Sequence, residues 1–363
     1  MAKQQITGES KMARSRVPSQ FCTAICACLL CGAPILLAQQ TQPPPTDTDE
    51  IPVIRESSEF VLVDALVENR KTGNPIAGLV PEDFQITEDG APQQITYLSQ
   101  DRLPLSIVFL FDLTETVQPV LTSLAQGASM ILDHLKPQDE VAVMVFSSHT
   151  ELVQGFTTRR ISTEYAIHEA ADRTTTEGTF IYEDVYEAID QAMLSTAPQG
   201  RRVLVWLTDG TANIENTPAQ SKIGKQAPAR LHTREEATNK LLHSGIVVAA
   251  LIQRSQITNT LIDTRMTHPS EFLADTRLGD IEQYADLTGG PVLQSTNRGA
   301  TTQMAELLDQ LRARYTLGYK PVTGAPHGKF SKIRVTLTPQ AFERHPEWIK
   351  SDIVVRARSG YYR

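Results

Sequence analysis

The sequence predicts an α/β fold, a doubly wound and mostly parallel sheet inserted in a smaller β-sandwich-like module. Three observations predict it. Near-continuous apolar runs at 105–111, 140–146, 202–208 and 246–252 suit strands covered on both faces. Stripes of apolar residues at helical spacing alternate with those runs. Two of the runs stop at a carboxylate: Ile107-Val-Phe-Leu-Phe leads into Asp112, and Val203-Leu-Val-Trp-Leu-Thr208 leads into Asp209-Gly210. In open α/β folds the carboxyl edge of the sheet is where ligands bind.

Taken in order, the chain opens with Lys3, Lys11, Arg14 and Arg16 ahead of an uncharged segment, 21–38, closed by Gln39-Gln40. This is the pattern of a signal peptide spanning 1–38, with an uncleaved N-terminal membrane anchor as the alternative. All four cysteines (Cys22, Cys26, Cys28 and Cys31) lie inside it. The exported chain would carry neither disulfide nor thiol chemistry and would depend on packing for stability. Loss of 1–38 takes the formal charge from −8 to about −11. An acidic chain argues against nucleic acid, which needs a basic face.

Residues 39–57, centred on Pro43-Pro44-Pro45, read as an extended tether. An N-terminal β segment, 58–103, follows: Phe60-Val-Leu-Val-Asp-Ala-Leu-Val alternates as a strand, and turns fall at Gly73-Asn74-Pro75 and Glu88-Asp-Gly90. The α/β domain spans 104–313. Its helices are marked by Leu121, Leu124, Ala128, Ile131 and Leu135, then by Ile181, Val185, Ile189 and Ala192. Thr233-Arg-Glu-Glu236 is a capping box for a helix ending near Gly245. Leu278, Ile281 and Ala285 mark a helix stopped by Gly289-Gly290, a short strand falls at 291–294, and the last helix carries Ala300, Met304, Leu307, Leu308 and Leu311. Strands return in 314–363. Neither flanking segment holds enough strands for a stable sandwich, so the two are expected to pair into one module around the α/β domain.

The chemistry-bearing residues are oxygen donors. Asp112, Thr114 and Thr116 occupy alternate positions from the end of the run 105–111, Thr179 follows Gly178, and Asp209 follows the run 202–208. Hydroxyls and carboxylates suit a hard divalent cation such as Mg2+. Singly, Asp112 also reads as a helix cap and Asp209-Gly210 as a turn.

Together, Asp112-x-Thr114-x-Thr116, Gly178-Thr179 and Thr208-Asp209-Gly210 resemble the metal-ion-dependent adhesion site of von Willebrand factor type A domains. The family pattern has serines where this chain has Thr114 and Thr116, which keeps each hydroxyl and adds a methyl. The flanks resemble the VWFA-related proteins typical of acidobacteria, through Asp83-Phe, Glu88-Asp-Gly90, Leu287-Thr-Gly-Gly290, Leu311-Arg-Ala-Arg-Tyr-Thr-Leu-Gly-Tyr319 and Val355-Arg-Ala-Arg-Ser-Gly-Tyr361. The resemblance covers roughly 58–363. It implies strand order 3-2-1-4-5-6 with an antiparallel edge near Glu151-Leu-Val-Gln. It also implies a site for Mg2+ (or Mn2+/Ca2+) at Asp112, Thr114, Thr116, Thr179 and Asp209, whose open position takes an acidic side chain from a protein partner. The expected role is metal-dependent adhesion in the periplasm or outside the cell, without catalysis. Membrane contact is expected only if the N-terminal segment stays uncleaved.

The rivals are a structural envelope protein with a vestigial metal site and a metal-dependent phosphatase-like enzyme. The second lacks its acid/base carboxylate, because position 114 is Thr. No Ser/His/Asp set is readable: His134, His243 and His327 are scattered and read as surface or helix-end residues. Two long connections, 210–232 and 253–277, carry Lys222, Lys225, Arg230, Arg254, Arg265 and Arg277, along with Glu215, Asp263 and Glu271. They are expected to emerge on the face of Asp112 and to steer an acidic partner toward it.

Overall fold

The computed structural model describes residues 60–100, 103–175, 179–197, 200–210, 232–253, 280–295, 297–321 and 328–362. The leader at 1–38, the tether at 39–57, Gly178, His327 and all the named basic and acidic loop residues lie outside the described residues. Residues Ser57–Arg363 make one compact unit.

Four strands open the unit: β1 (Val61–Asn69), β2 (Phe84–Glu88), β3 (Ala91–Gln93) and β4 (Ile95–Gln100). The α/β domain then contributes β5 (Leu105–Asp112), β6 (Glu140–Phe146), β7 (Thr150–Thr157), β8 (Arg201–Thr208), β9 (Val247–Ile252) and β10 (Val292–Gln294). Its helices are α1 (Gln118–Gln126), α2 (Ala128–Leu132), α3 (Arg160–Ala171), α4 (Ile181–Met193), α5 (Arg234–Ser244), α6 (Asp280–Thr288) and α7 (Ala300–Arg312). The chain closes with β11 (Tyr315–Tyr319), β12 (Phe330–Leu337), α8 (Pro339–Arg344), β13 (Ile353–Ala357) and β14 (Gly360–Tyr362).

The central sheet runs β10-β9-β8-β5-β6-β7. Numbered within the domain this is 3-2-1-4-5-6. Strand β7 pairs antiparallel with β6, and the other pairs are parallel. Every residue of β5, β6 and β9 is buried, as their apolar runs require. Side-chain alternation divides the core: Ile107, Phe109 and Phe111 pack under α1, α2, α3 and α7, whereas Val108 and Leu110 pack under α4, α5 and α6. Each fully buried aliphatic side chain contributes roughly 2 kcal/mol.

The stripe from Leu121 to Leu135 is not one helix. It breaks at Gly127, where a Cβ would overlap the Thr301 side chain, and Leu135 sits in the turn beyond α2. Thr233 caps α5 with the reciprocal Glu236 bond, and Gly245 ends that helix at φ 70°.

The flanking strands form two further sheets, β13-β1-β11-β4 and β14-β12-β2-β3, each drawing strands from both ends of the unit. They share a core of Val63, Val67, Phe84, Ile86, Tyr315, Leu317 and Val335. Tyr315 and Tyr319 are buried packing residues. Asp89 (φ 49°) and Gly90 (φ 86°) make the two-residue turn between β2 and β3. The α/β domain leaves after β4 and returns at Tyr315, which pairs with Gln100.

A buried ion network ties this module to the domain. Arg201 at the start of β8 grips Asp64 on β1 with Nε at 2.8 Å and Nη2 at 3.1 Å. Arg314, fully buried, donates to Gly289 O at 2.7 Å and to Asp64 O at 3.1 Å. Gly289 has φ 74°, and a Cβ there would overlap the Ala357 backbone of β13. Gly289→Ala is therefore expected to cost about 3 kcal/mol, combining left-handed strain with overpacking. A urea midpoint unchanged from wild type would contradict this close approach.

Candidate metal centre

Strand β5 delivers Asp112 to the carboxyl edge of the sheet at 1% exposure. Leu113 N–H then donates to Phe146 O at 3.0 Å, and Thr114 N–H donates to Asp112 Oδ1 at 2.9 Å. The second bond closes an Asx-type turn. That turn brings the Thr114 and Thr116 hydroxyl oxygens to 3.2 Å from each other. Thr116 donates its proton to Asp209 Oδ2 at 2.7 Å, so Thr114 is the donor within the hydroxyl pair.

Asp209 follows β8, which lies beside β5, and the carboxylates of two neighbouring strand ends are thus linked through Thr116. Thr208 completes the arrangement, donating to Asp112 Oδ2 at 2.8 Å and accepting from Gly210 N–H at 3.1 Å. Gly210 adopts φ 76°, which only glycine takes without strain.

Thr179 is buried immediately before Phe180, the cap of α4. Four residues earlier, Thr175 bridges Thr114 in parallel and donates its N–H to Leu113 O at 3.0 Å. Hydrogen bonds therefore join Asp112, Thr114, Thr116 and Asp209 directly, and Thr175 lies beside Thr114.

Burial pushes the Asp112 carboxyl up to about 6, and the Asp209 charge pushes the same way, against hydrogen bonds from Thr114 and Thr208. A third carboxylate lies nearby. Asp184 on α4 is fully buried and accepts from Thr150 Oγ1 at 2.8 Å through Oδ1, while its Oδ2 has no hydrogen-bond partner. Burial pushes its pKa well above the carboxylate range, and the Asp112 charge adds to the rise. Sequence reading passed over Asp184 and the role of Thr208. The signal for Asp184 is a charged residue within the buried stripe of Ile181, Val185 and Ile189.

The donor set fits a hard cation. Neighbouring corners of a magnesium octahedron lie about 3 Å apart at bonds of about 2.1 Å. The Thr114–Thr116 oxygen pair, at 3.2 Å, matches one such edge. Burial is the main reason Asp112 is raised, and a positive charge between Asp112 and Asp209 would offset it as well as the smaller repulsion from Asp209. Among the described residues no group of three or more His, Cys, Asp or Glu side chains forms a metal cluster.

The α/β domain has the strand order and the antiparallel edge that the resemblance to von Willebrand factor type A domains implies. No family model and no curated protein matches the chain. Solved structures do. BatB from Bacteroides thetaiotaomicron is 16% identical over 57% of this chain and 99% of that one, with a TM-score of 0.38. The vWF domain of the type V pili tip protein Mfa5 from Porphyromonas gingivalis is 11% identical over 58% and 95%, at 0.38. Proximal thread matrix protein 1 from the mussel byssus, with a zinc-occupied MIDAS motif, is 15% identical at 0.41; the match covers 62% of this chain and 50% of that one, half its length.

Proposed function

We propose that this chain is an exported binding protein whose Asp112, Thr114, Thr116, Thr179 and Asp209 hold Mg2+, or Mn2+ or Ca2+ in its place. The bound ion supplies a Lewis-acidic position that a carboxylate of a protein partner completes. The observation that carries this reading is the link from Asp209 through Thr116 to Thr114, which gathers oxygen donors from two strand ends at one sheet edge. The chain's own residues do the rest. Asp112 holds the loop by accepting from Thr114 N–H, and Thr208 fixes the carboxylate from the far side. The hydroxyl donors are neutral and few, so a hard cation that takes six oxygens would keep an open position, and a partner carboxylate can fill it. The charged-then-apolar N-terminal pattern supports export.

Titration calorimetry of Mg2+ and Mn2+ into the full chain tests the site. Wild type is expected to bind one ion, and Asp112→Ala and Thr116→Ala to lose at least about tenfold in affinity, near 1.4 kcal/mol. Equal affinity in all three proteins would remove the metal from the mechanism. Capture of envelope proteins with and without chelator tests the role, and capture indifferent to chelator would leave binding that does not use the ion.

A further inference from the structure

Strand β14 covers only the first part of β12. The pairs Phe330–Tyr362, Ser331–Tyr361 and Lys332–Gly360 end the ladder, and no described strand pairs with β12 on that side beyond Lys332. Lys332 N–H donates to Asp89 Oδ1 and its carbonyl accepts from Asp89 N–H, so this position faces β2. Ile333 faces the other way, donating to Ser359 O at 2.9 Å. Strand alternation gives Val335 and Leu337 the direction of Ile333. On the opposite sheet β13 is an edge strand paired only with β1.

Between these edges lies an open groove of ≈ 450 Å³. Ile333, Val335 and Leu337 from β12, Ile353 and Val355 from β13, and Phe342 from α8 form its apolar wall. Arg334, Lys350 and Arg358 also line it, and none of its described lining residues is acidic. That bias is unusual on a chain of formal charge −8. Arg358 is committed to the Gly360 and Leu242 carbonyls, whereas Arg334 and Lys350 are exposed.

We propose that this groove takes an extended segment of a partner protein as an added strand beside Ile333–Leu337, and that the segment alternates apolar and acidic residues. Backbone edges give affinity without sequence preference, and side-chain pockets set the choice. A guest in the lane of β14 points alternate side chains inward to the apolar wall and outward beside Arg334. With Ile333 taken by Ser359, Val335 and Leu337 are the positions whose backbone is left toward the groove, two alternate sites for one short strand. An unpaired edge over an apolar opening is also a feature that folded proteins otherwise blunt with charge or cover. Here the charges present are of one sign, which selects an acidic guest.

The test uses the full chain, with chelator present so that the metal site plays no part. Fluorescence anisotropy is read with a labelled Val-Glu-Val-Asp-Val-Glu peptide, its lysine counterpart, and a version carrying a central proline. The acidic peptide is expected to saturate, with the lysine and proline peptides weaker by about tenfold or more. Arg334→Glu with Lys350→Glu, both at exposed positions, should reverse the preference between acidic and lysine peptides. Equal binding of both charged peptides, no binding of the acidic one at millimolar protein, or indifference to the double reversal overturns the proposal. So does self-association in sedimentation that the double reversal abolishes, since the groove would then belong to a second copy.

Discussion

Replacing Asp64 with alanine is expected to lower the unfolding free energy by about 3–5 kcal/mol, the range for removing one partner of a buried ion pair. Arg201 is only 4% exposed in its side chain and Arg314 is wholly buried, so both guanidinium groups would lose the Asp64 carboxylate, itself 22% exposed. Burial already pushes Arg314 down to about 10, with Asp64 as the main opposing charge. Thr316 would also lose the acceptor it reaches at 2.7 Å. Because Asp64 sits on β1 and Arg201 on β8, the loss falls on the junction between module and domain. Urea unfolding would register it as a lowered midpoint, and a second, earlier transition would place the damage at that junction. The pair Asp64→Val with Arg201→Met should recover part of the loss, because removing both charges leaves less buried charge uncompensated.

The pH dependence of this pair has a definite sign. Burial alone would raise the Asp64 carboxyl, but Arg201 and Arg314 hold it below its ordinary value. Its contribution is therefore full above the unfolded pKa and disappears as pH falls through the lower, folded one. Wild type and Asp64→Asn should differ most near neutral pH and converge in strong acid.

The central sheet was legible because β5, β6, β8 and β9 are apolar on both faces, which leaves little doubt about strands whatever their order. Helix α3 was not read, and its composition explains why. Its buried face is Thr163, Ala166 and Ala170, with Ile167, while Ile161 and Tyr165 stand 51% and 69% exposed. The larger apolar residues point outward and the small ones inward, so the periodicity runs against hydrophobicity. The short β3 and β14 escaped for another reason: three residues carry too little pattern to count. At the site, Asp112, Thr114, Thr116 and Asp209 were legible because strand ends and alternate spacing are local features. Thr208 was not, since a threonine ending a strand is ordinary β composition, and only its bond to Asp112 Oδ2 gives it a role.

Without metal, wild-type stability relative to Asp112→Asn is expected to fall as pH rises through about 6. The sign follows from the raised carboxyl: a group held above its ordinary value when folded stabilises fully below the unfolded value and loses that contribution as pH climbs through the folded one. The shift from 3.8 to about 6 corresponds to about 3 kcal/mol. Asparagine keeps the acceptor for Thr114 N–H and removes the charge facing Asp209, so the variant should be the more stable protein near pH 8 and show no advantage near pH 4. Asp184 responds in the same direction and is coupled to Asp112, so the full gain will fall short of the isolated figure. Saturating Mg2+ should invert the ranking, since an ion present at a hundred times its Kd stabilises the folded state by about 2.7 kcal/mol. That gain is available only where the Asp112 charge remains. Thermal or urea unfolding at pH 4, 6 and 8, with and without ion, reads all of these differences. If wild type and Asp112→Asn keep parallel pH profiles without metal, the buried Asp112 charge is not strained and the electrostatic case for a cation beside it falls. If the profiles diverge as expected but Mg2+ stabilises both proteins alike, the ion binds elsewhere. Only divergence followed by selective rescue ties the strain at Asp112 to the ion that relieves it.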